Sequence, residues 1–232
     1  MLINENLLQV RSLGVAFYVL RDEHGLYLID SGFLDARRKL RGELKEVGWD
    51  KIPILGILLS HGHLDHILHV KNLANEHGAW VAGSAADLVH FEGRPKYSGS
   101  SKLIGWAEWW GRVCLSFQSF TPDRFLEEGQ ELDFWGGLEV VSLPGHTAGH
   151  IGFYSPLRKL LFCGDLFASF GGLSHLPPSV FNEDSEKNRK SISRALELDL
   201  VGVLPNHCKP DSPQKHLQAM IQVAQPFNGM NS

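Results

Sequence analysis

Residues 60–67, SHGHLDHI, place three histidines and an aspartate within six positions, directly behind the apolar run IPILGILL. His61 and His63 are two apart at an expected strand end, so in extended backbone both imidazoles point to the same side and can share one cation. Asp65 and His66 follow where a helix should begin and project from its first turn beside the two histidines, with Gly62 relieving the crowding between them. Four donors from one loop exceed what a single tetrahedral ion takes from one segment. Neutral imidazole and carboxylate suit Zn, Fe or Mn, and two adjacent cations are a common use of such a surplus. The plainer alternative is a solvated histidine-rich turn. Three other strand ends count against it, because LPGHTAGH places His146 after LEVVSL, FCGDLF places Asp165 just past a strand, and VLPNHC places His207 past another. Strand ends are where scaffolds present ligands.

The elements that must position these donors are legible as alternating β-rich and helical runs. LLQV, VAFYVL and LYLID read as strands, the last two joined by the turn RDEHG, for an antiparallel start. Leu34, Leu40, Leu44 and Val47 predict an amphipathic helix over 33–47, stopped by Gly48. ILGILLS, a helix over 65–76 and AWVAG give a β-α-β pattern. Residues 84–124 read as a helical insertion or cap, in which Trp106, Trp109 and Trp110 fall at helical spacing and could roof a pocket, pack as a helix face or form a dimer contact. Strands resume with ELDFW, LEVVSL, IGFYS and KLLFCG, with PLRK as a hairpin turn, before a helix over 184–198, the strand VGVLP and a final helix from Ser212. The expectation is a mixed α/β chain forming one domain over residues 1–232.

Composition sets the bounds. At 232 residues, 43% apolar and 21% charged, the chain can bury a sizeable core without a structural metal. A net charge of −4 with scattered Lys and Arg gives no footprint for nucleic acid, so a small-molecule substrate is expected. MLINENLLQVRS has no export-signal pattern and no run reaches membrane-spanning length, which makes the expected location cytoplasmic with no membrane partner. Cys114, Cys163 and Cys208 form no CxxC pair and read as reduced thiols, the last two as buried ones.

The ordered set HGHLDH, PGHTAGH, GD and a strand-end histidine, with DSG at Asp30 upstream, resembles the metallo-β-lactamase superfamily, especially its glyoxalase-II-like and lactonase-like hydrolases. The likeness runs from Asp30 to His207. It implies a four-layer αββα sandwich in which His61, His63 and His146 hold one divalent metal and Asp65, His66 and His207 a second, with Asp165 bridging them. Zinc is the first expectation, and iron or manganese fits the same donors. A water ionised between two such cations would hydrolyse an ester, thioester or lactone, with Asp65 steering the proton and Asp30 orienting ligands by hydrogen bonds. Asn206 stands where the family often has glycine. Only 25 residues follow His207, so the helical glutathione-binding domain of glyoxalase II, and its thioester specificity, are not expected. β-Lactamases generally lack an aspartate at the Asp165 position, so antibiotic hydrolysis is not expected either.

A competing class in the same superfamily, the persulfide dioxygenases, uses one iron held by two histidines and an aspartate, here His61, His146 and Asp165. A binding protein that keeps the fold without turnover is the third class. His69 sits over the Asp65 and His66 face and is a candidate pocket residue, His150 and Thr147 are candidates for outer hydrogen bonds, and GGLSH is a loop beside the site. His24, His77, His90, His175 and His216 show no partner pattern and read as surface residues.

Overall fold

The computed structural model describes residues 1–95 and 102–225, with 102–104 described by backbone alone. The stretch 96–101, expected as part of a loop, lies outside them. Strands β1 (Leu2–Asn4), β2 (Leu7–Ser12), β3 (Val15–Arg21) and β4 (Leu26–Ile29) form an antiparallel meander. Helix α1 (Ala36–Glu46) then crosses to β5 (Ile54–Leu58), which lies parallel to β4. Helices α2 (Leu64–Ile67) and α3 (Val70–His77) lead to β6 (Trp80–Gly83), and α4 (Leu88–Phe91) and α5 (Lys102–Cys114) precede the short β7 (Arg124–Phe125), completing a seven-stranded sheet in sequence order. The second sheet holds β8 (Glu131–Leu132), β9 (Leu138–Ser142), β10 (Ile151–Ser155) and β11 (Leu160–Gly164) antiparallel. After α6 (Ser185–Ala195), strand β12 (Gly202–Pro205) joins β11 in parallel, and α7 (Pro213–Ala224) follows.

Period-two alternation sorts the strands into layers. Along β3, Phe17 and Val19 face one side and pack with Leu40, Leu44, Val70 and Leu73 of α1 and α3. Tyr18 and Leu20 face the other side and pack with Phe153, Phe162 and Trp135 from the second sheet. That sheet repeats the division: Leu161 and Cys163 point away from Phe162, into a third core with Ile192 of α6 and Met220 of α7. Three apolar interfaces in series require four layers, helix, sheet, sheet, helix. Each fully buried Leu, Phe or Val contributes about 1.5–3 kcal/mol of burial, so the sheets are held rigidly enough to fix what protrudes from their ends.

Two expected elements differ from the sequence reading. The helix over 65–76 is broken at His69 because Ser31 intercepts its hydrogen bonds: Ser31 N and Oγ both donate to His66 O, at 2.8 and 2.7 Å, and His69 N donates to Ser31 Oγ at 3.2 Å. ELDFW shrinks to β8, because Trp135, Gly136 and Gly137 all take positive φ and turn the chain. Asp184 and Ser212 cap α6 and α7 through their side-chain oxygens, as their positions before those helices suggest. Among the described residues no helix is long and apolar enough to cross a membrane.

Candidate metal centre

Each donor segment leaves its strand at the same edge of the two sheets: Asp30 after β4, His61 to His66 after β5, His146 after β9, Asp165 after β11 and His207 after β12. One ligand atom from each of His61, His63 and His146 lies within 4.8 Å of the others, and the same holds for Asp65, His66 and His207 and for His61, His66 and Asp165. Asp165 sits at the centre. Its Oδ2 is 3.1 Å from His207 Nε2, 3.3 Å from His66 Nε2, 3.4 Å from His146 Nε2 and 3.8 Å from His61 Nε2.

The opposite ring nitrogens are held, which fixes which nitrogen points inward. Ser60 Oγ donates to Asp30 Oδ2 at 2.6 Å and is therefore left to accept from His61 Nδ1 at 3.0 Å. His146 Nδ1 donates to Asn182 Oδ1 at 2.8 Å, and His66 Nδ1 to Asp30 Oδ2 at 3.1 Å. Asp30 is fully buried with φ of +64°, and it also accepts from Ser60 N and Asn206 Nδ2. Asn206, which stands where the family often has glycine, is absent from the positive-φ residues; its part is the 2.7 Å bond to Asp30.

Whether these residues suit a cation is decided by their unmet valences. Nε2 of His61, His66 and His146 and Oδ1 of Asp165 are buried without a hydrogen-bond partner. Buried polar atoms are rarely left so, since each costs about 1–3 kcal/mol. Five imidazoles and two carboxylates that converge in this way form a donor set for Zn, Fe or Mn.

The electrostatics agree with that division. Burial, followed by the neighbouring histidines, holds His61 and His63 well below the ordinary imidazole range, so both are neutral donors. Burial also opposes charge on His66, but Asp165 and Asp65 outweigh it and hold its pKa well above ordinary. Asp165 likewise raises His207, to about 10. Without a cation, then, His66 and His207 carry protons at neutral pH that ligation must displace. Metal uptake is expected to release protons and to weaken as pH falls, because both imidazoles are protonated below their raised pKa values. Calorimetric titration of zinc into metal-free protein, in buffers of different ionisation enthalpy, measures this; a heat independent of buffer would contradict it.

His150 takes an outer position: Nδ1 donates to Leu143 O at 2.8 Å, Nε2 accepts from Asp165 N at 3.1 Å, and burial lowers its pKa to about 3. His69 turns away from the cavity and bonds Phe33 O through Nε2 at 3.1 Å. His90 and His216 are buried rather than at the surface. Gly62 does not serve chiefly to separate its two neighbours; a Cβ there would sit 2.3 Å from His90 Cβ. Cys163 and Cys208 are buried thiols with pKa values raised by burial.

The sequence reading missed Asp87, Asn182 and the pair Glu108 and Arg112. Asp87, fully buried, accepts from Gly62 N at 2.8 Å and Thr147 Oγ1 at 2.7 Å through one oxygen and from Gly149 N at 2.7 Å through the other, tying the His61–His63 loop to the His146 loop. Arg112 donates to Glu108, His90 O and Gly62 O, anchoring α5 to the same loop. The i, i+4 spacing of Glu108 and Arg112 was a readable signal. Trp106, Trp109 and Trp110 are exposed, and Ala107, Glu108 and Gly111 of α5, with Leu115 just after it, line the cavity.

Facing mixed sheets between helices, with histidine and aspartate donors gathered at one edge, define an αββα sandwich with a metal-type site. The chain belongs to the metallo-beta-lactamase superfamily, whose family model matches residues 11–207. It is 36% identical over 153 residues to "Hydroxyacylglutathione hydrolase GloC" of Haemophilus influenzae, a match covering 65% of each chain, just under two thirds of that relative's length. It is 24% identical over 235 residues to "Probable metallo-hydrolase YflN" of Bacillus subtilis, covering 94% of this chain and 88% of the other. Among solved structures, TTHA1623 in a di-iron-bound form superposes with a TM-score of 0.68 at 28% identity, covering 91% of this chain and 96% of that one.

Proposed function

We propose that the protein is a metal-dependent hydrolase that cleaves an ester, thioester or lactone at a two-cation site. His61, His63 and His146 would hold one divalent ion and Asp65, His66 and His207 the other, with Asp165 between them. The observation that carries this reading is the convergence of unpartnered Nε2 atoms and Asp165 Oδ1 at one sheet edge. Two cations there supply Lewis acidity toward a carbonyl oxygen and acidify water at neutral pH. Asp30 fixes the His66 ring, Asn182 the His146 ring and Ser60 the His61 ring, so these three are already oriented for a cation. Asp65 lies on the cavity wall and is held ionised, against the effect of burial, by His66 and His207; its Oδ2 is placed to hold a proton during the reaction. Relatives named as hydrolases support the activity, and the di-iron form of TTHA1623 supports a pair of cations. Zinc is the first choice, with iron or manganese fitting the same donors; the substrate is a small molecule and the location cytoplasmic.

Elemental analysis of the purified protein, coupled to a panel of esters, thioesters and lactones, tests this. The expected result is two divalent ions per chain and hydrolysis of at least one class. One iron per chain, oxygen consumption on a persulfide and no hydrolysis would establish the dioxygenase instead.

A further inference from the structure

The cavity that opens onto the donor cluster has a volume of about 690 Å³, within the usual range for a small-molecule site. Val15 and Phe33, Leu64, Leu115 just after α5, and Phe167 and Phe170 make its walls apolar. Apart from the donor histidines and the cations that the hydrolase reading places on them, the charged groups on it are Asp65, Glu108 and Asp165, and among the described residues no Lys or Arg lines it. Arg112, the cation nearest in sequence to this wall, is committed: it donates to Glu108 and to the carbonyls of His90 and Gly62, and its guanidinium stacks 4.5 Å from the Phe117 ring centroid. The other polar groups on the wall are the donor histidines and His175, whose Nδ1 bonds Leu176 O.

We propose, on the hydrolase reading above, that this cavity selects substrates with an apolar acyl chain and an uncharged leaving group, and discriminates against glutathione conjugates. Glutathione carries two carboxylates, and a carboxylate brought into an apolar pocket needs a cation or a set of donors to replace its water. The leaving group's carboxylates lie beyond the thioester, where the described walls are apolar and offer no Lys or Arg to pair with them. An alkyl chain gains from the same walls: each methylene buried is worth about a three- to fourfold increase in affinity, until the volume is filled. The names of the relatives called hydroxyacylglutathione hydrolases therefore do not fix this chain's leaving group.

The test pairs two thioesters with one acyl group, octanoyl-N-acetylcysteamine, which is neutral, and S-octanoylglutathione, which is anionic, assayed with the metal-loaded protein. The corresponding non-hydrolysable thioethers, S-octyl-N-acetylcysteamine and S-octylglutathione, are titrated calorimetrically into the same protein. The expected result is a kcat/KM at least about tenfold higher, and a Kd at least about tenfold lower, for the neutral member of each pair, with kcat/KM rising from acetyl to octanoyl. Equal or better turnover and binding of the glutathione compounds would overturn the inference. If neither thioester is cleaved, the hydrolase reading is decided by the ester and lactone members of the panel, and the order of the two thioether affinities still decides this one.

Discussion

Replacing Asp165 by alanine is expected to remove most of the bound metal and to lower kcat/KM by more than about 100-fold, with both losses appearing together. Asp165 Oδ2 lies within 3.1 to 3.8 Å of four imidazole Nε2 atoms, two from each donor triad. Its negative charge also offsets their mutual repulsion. His207 and His66 in turn hold the Asp165 pKa well below the usual carboxylate range despite burial, so the oxygen is a ready anionic ligand. Asp165→Asn preserves shape and removes the charge. It should fall between wild type and Asp165→Ala in metal content if charge contributes, and match Asp165→Ala if an anionic ligand is indispensable. Metal per chain by elemental analysis, and kcat/KM on the best substrate of the panel, are the two measurements. An alanine variant with full metal and an unchanged rate would take the central role away from Asp165.

What was readable without coordinates follows from how locally each feature is encoded. His61, His63, Asp65 and His66 stand within six positions, so their proximity needs only the strand and helix periods. His146, Asp165 and His207 were flagged because each ends an apolar strand run, and parallel or antiparallel pairing brings such ends to one edge. Asp87 had no such signal. It ends a short 3₁₀ turn, 60 residues from Thr147, and its meaning arises only when β5 and β9 bring their following loops together. Asn182 is likewise 36 residues from the histidine it orients. The break at His69 escaped because it is imposed by Ser31 from another segment, while the local sequence favours one continuous helix. The tryptophans were legible only in part. Their spacing correctly implied a helix, yet spacing alone does not say which side of α5 meets the protein, and the face with Ala107, Glu108 and Gly111 is the one turned to the cavity.

Asp87 carries the second large expected effect. Alanine there would leave Gly62 N, Gly149 N and the Thr147 hydroxyl without their acceptor in a buried setting. At about 1–3 kcal/mol for each unmet buried donor, the loss is a large fraction of a stability of about 5–15 kcal/mol, so Asp87→Ala is expected to fold poorly or melt far lower. Asp87→Asn separates a role in holding the fold from one in placing the donors. With its carbonyl at the position of Oδ2 it can still accept from Gly62 and Thr147, while its amide nitrogen faces the Gly149 N–H and repels it. Gly149 packs directly on this carboxylate, where a Cβ would lie 2.6 Å from Asp87 Oδ1, so the repulsion acts at close range and displaces the His146 loop. The expected outcome for Asp87→Asn is a modest fall in Tm but about a 10- to 100-fold loss of zinc affinity, measured by competition with a chelator well below the Tm, where both proteins are fully folded. Zinc affinity equal to wild type, alongside a lowered Tm, would show that Asp87 stabilises the two loops without setting the distance between His61, His63 and His146.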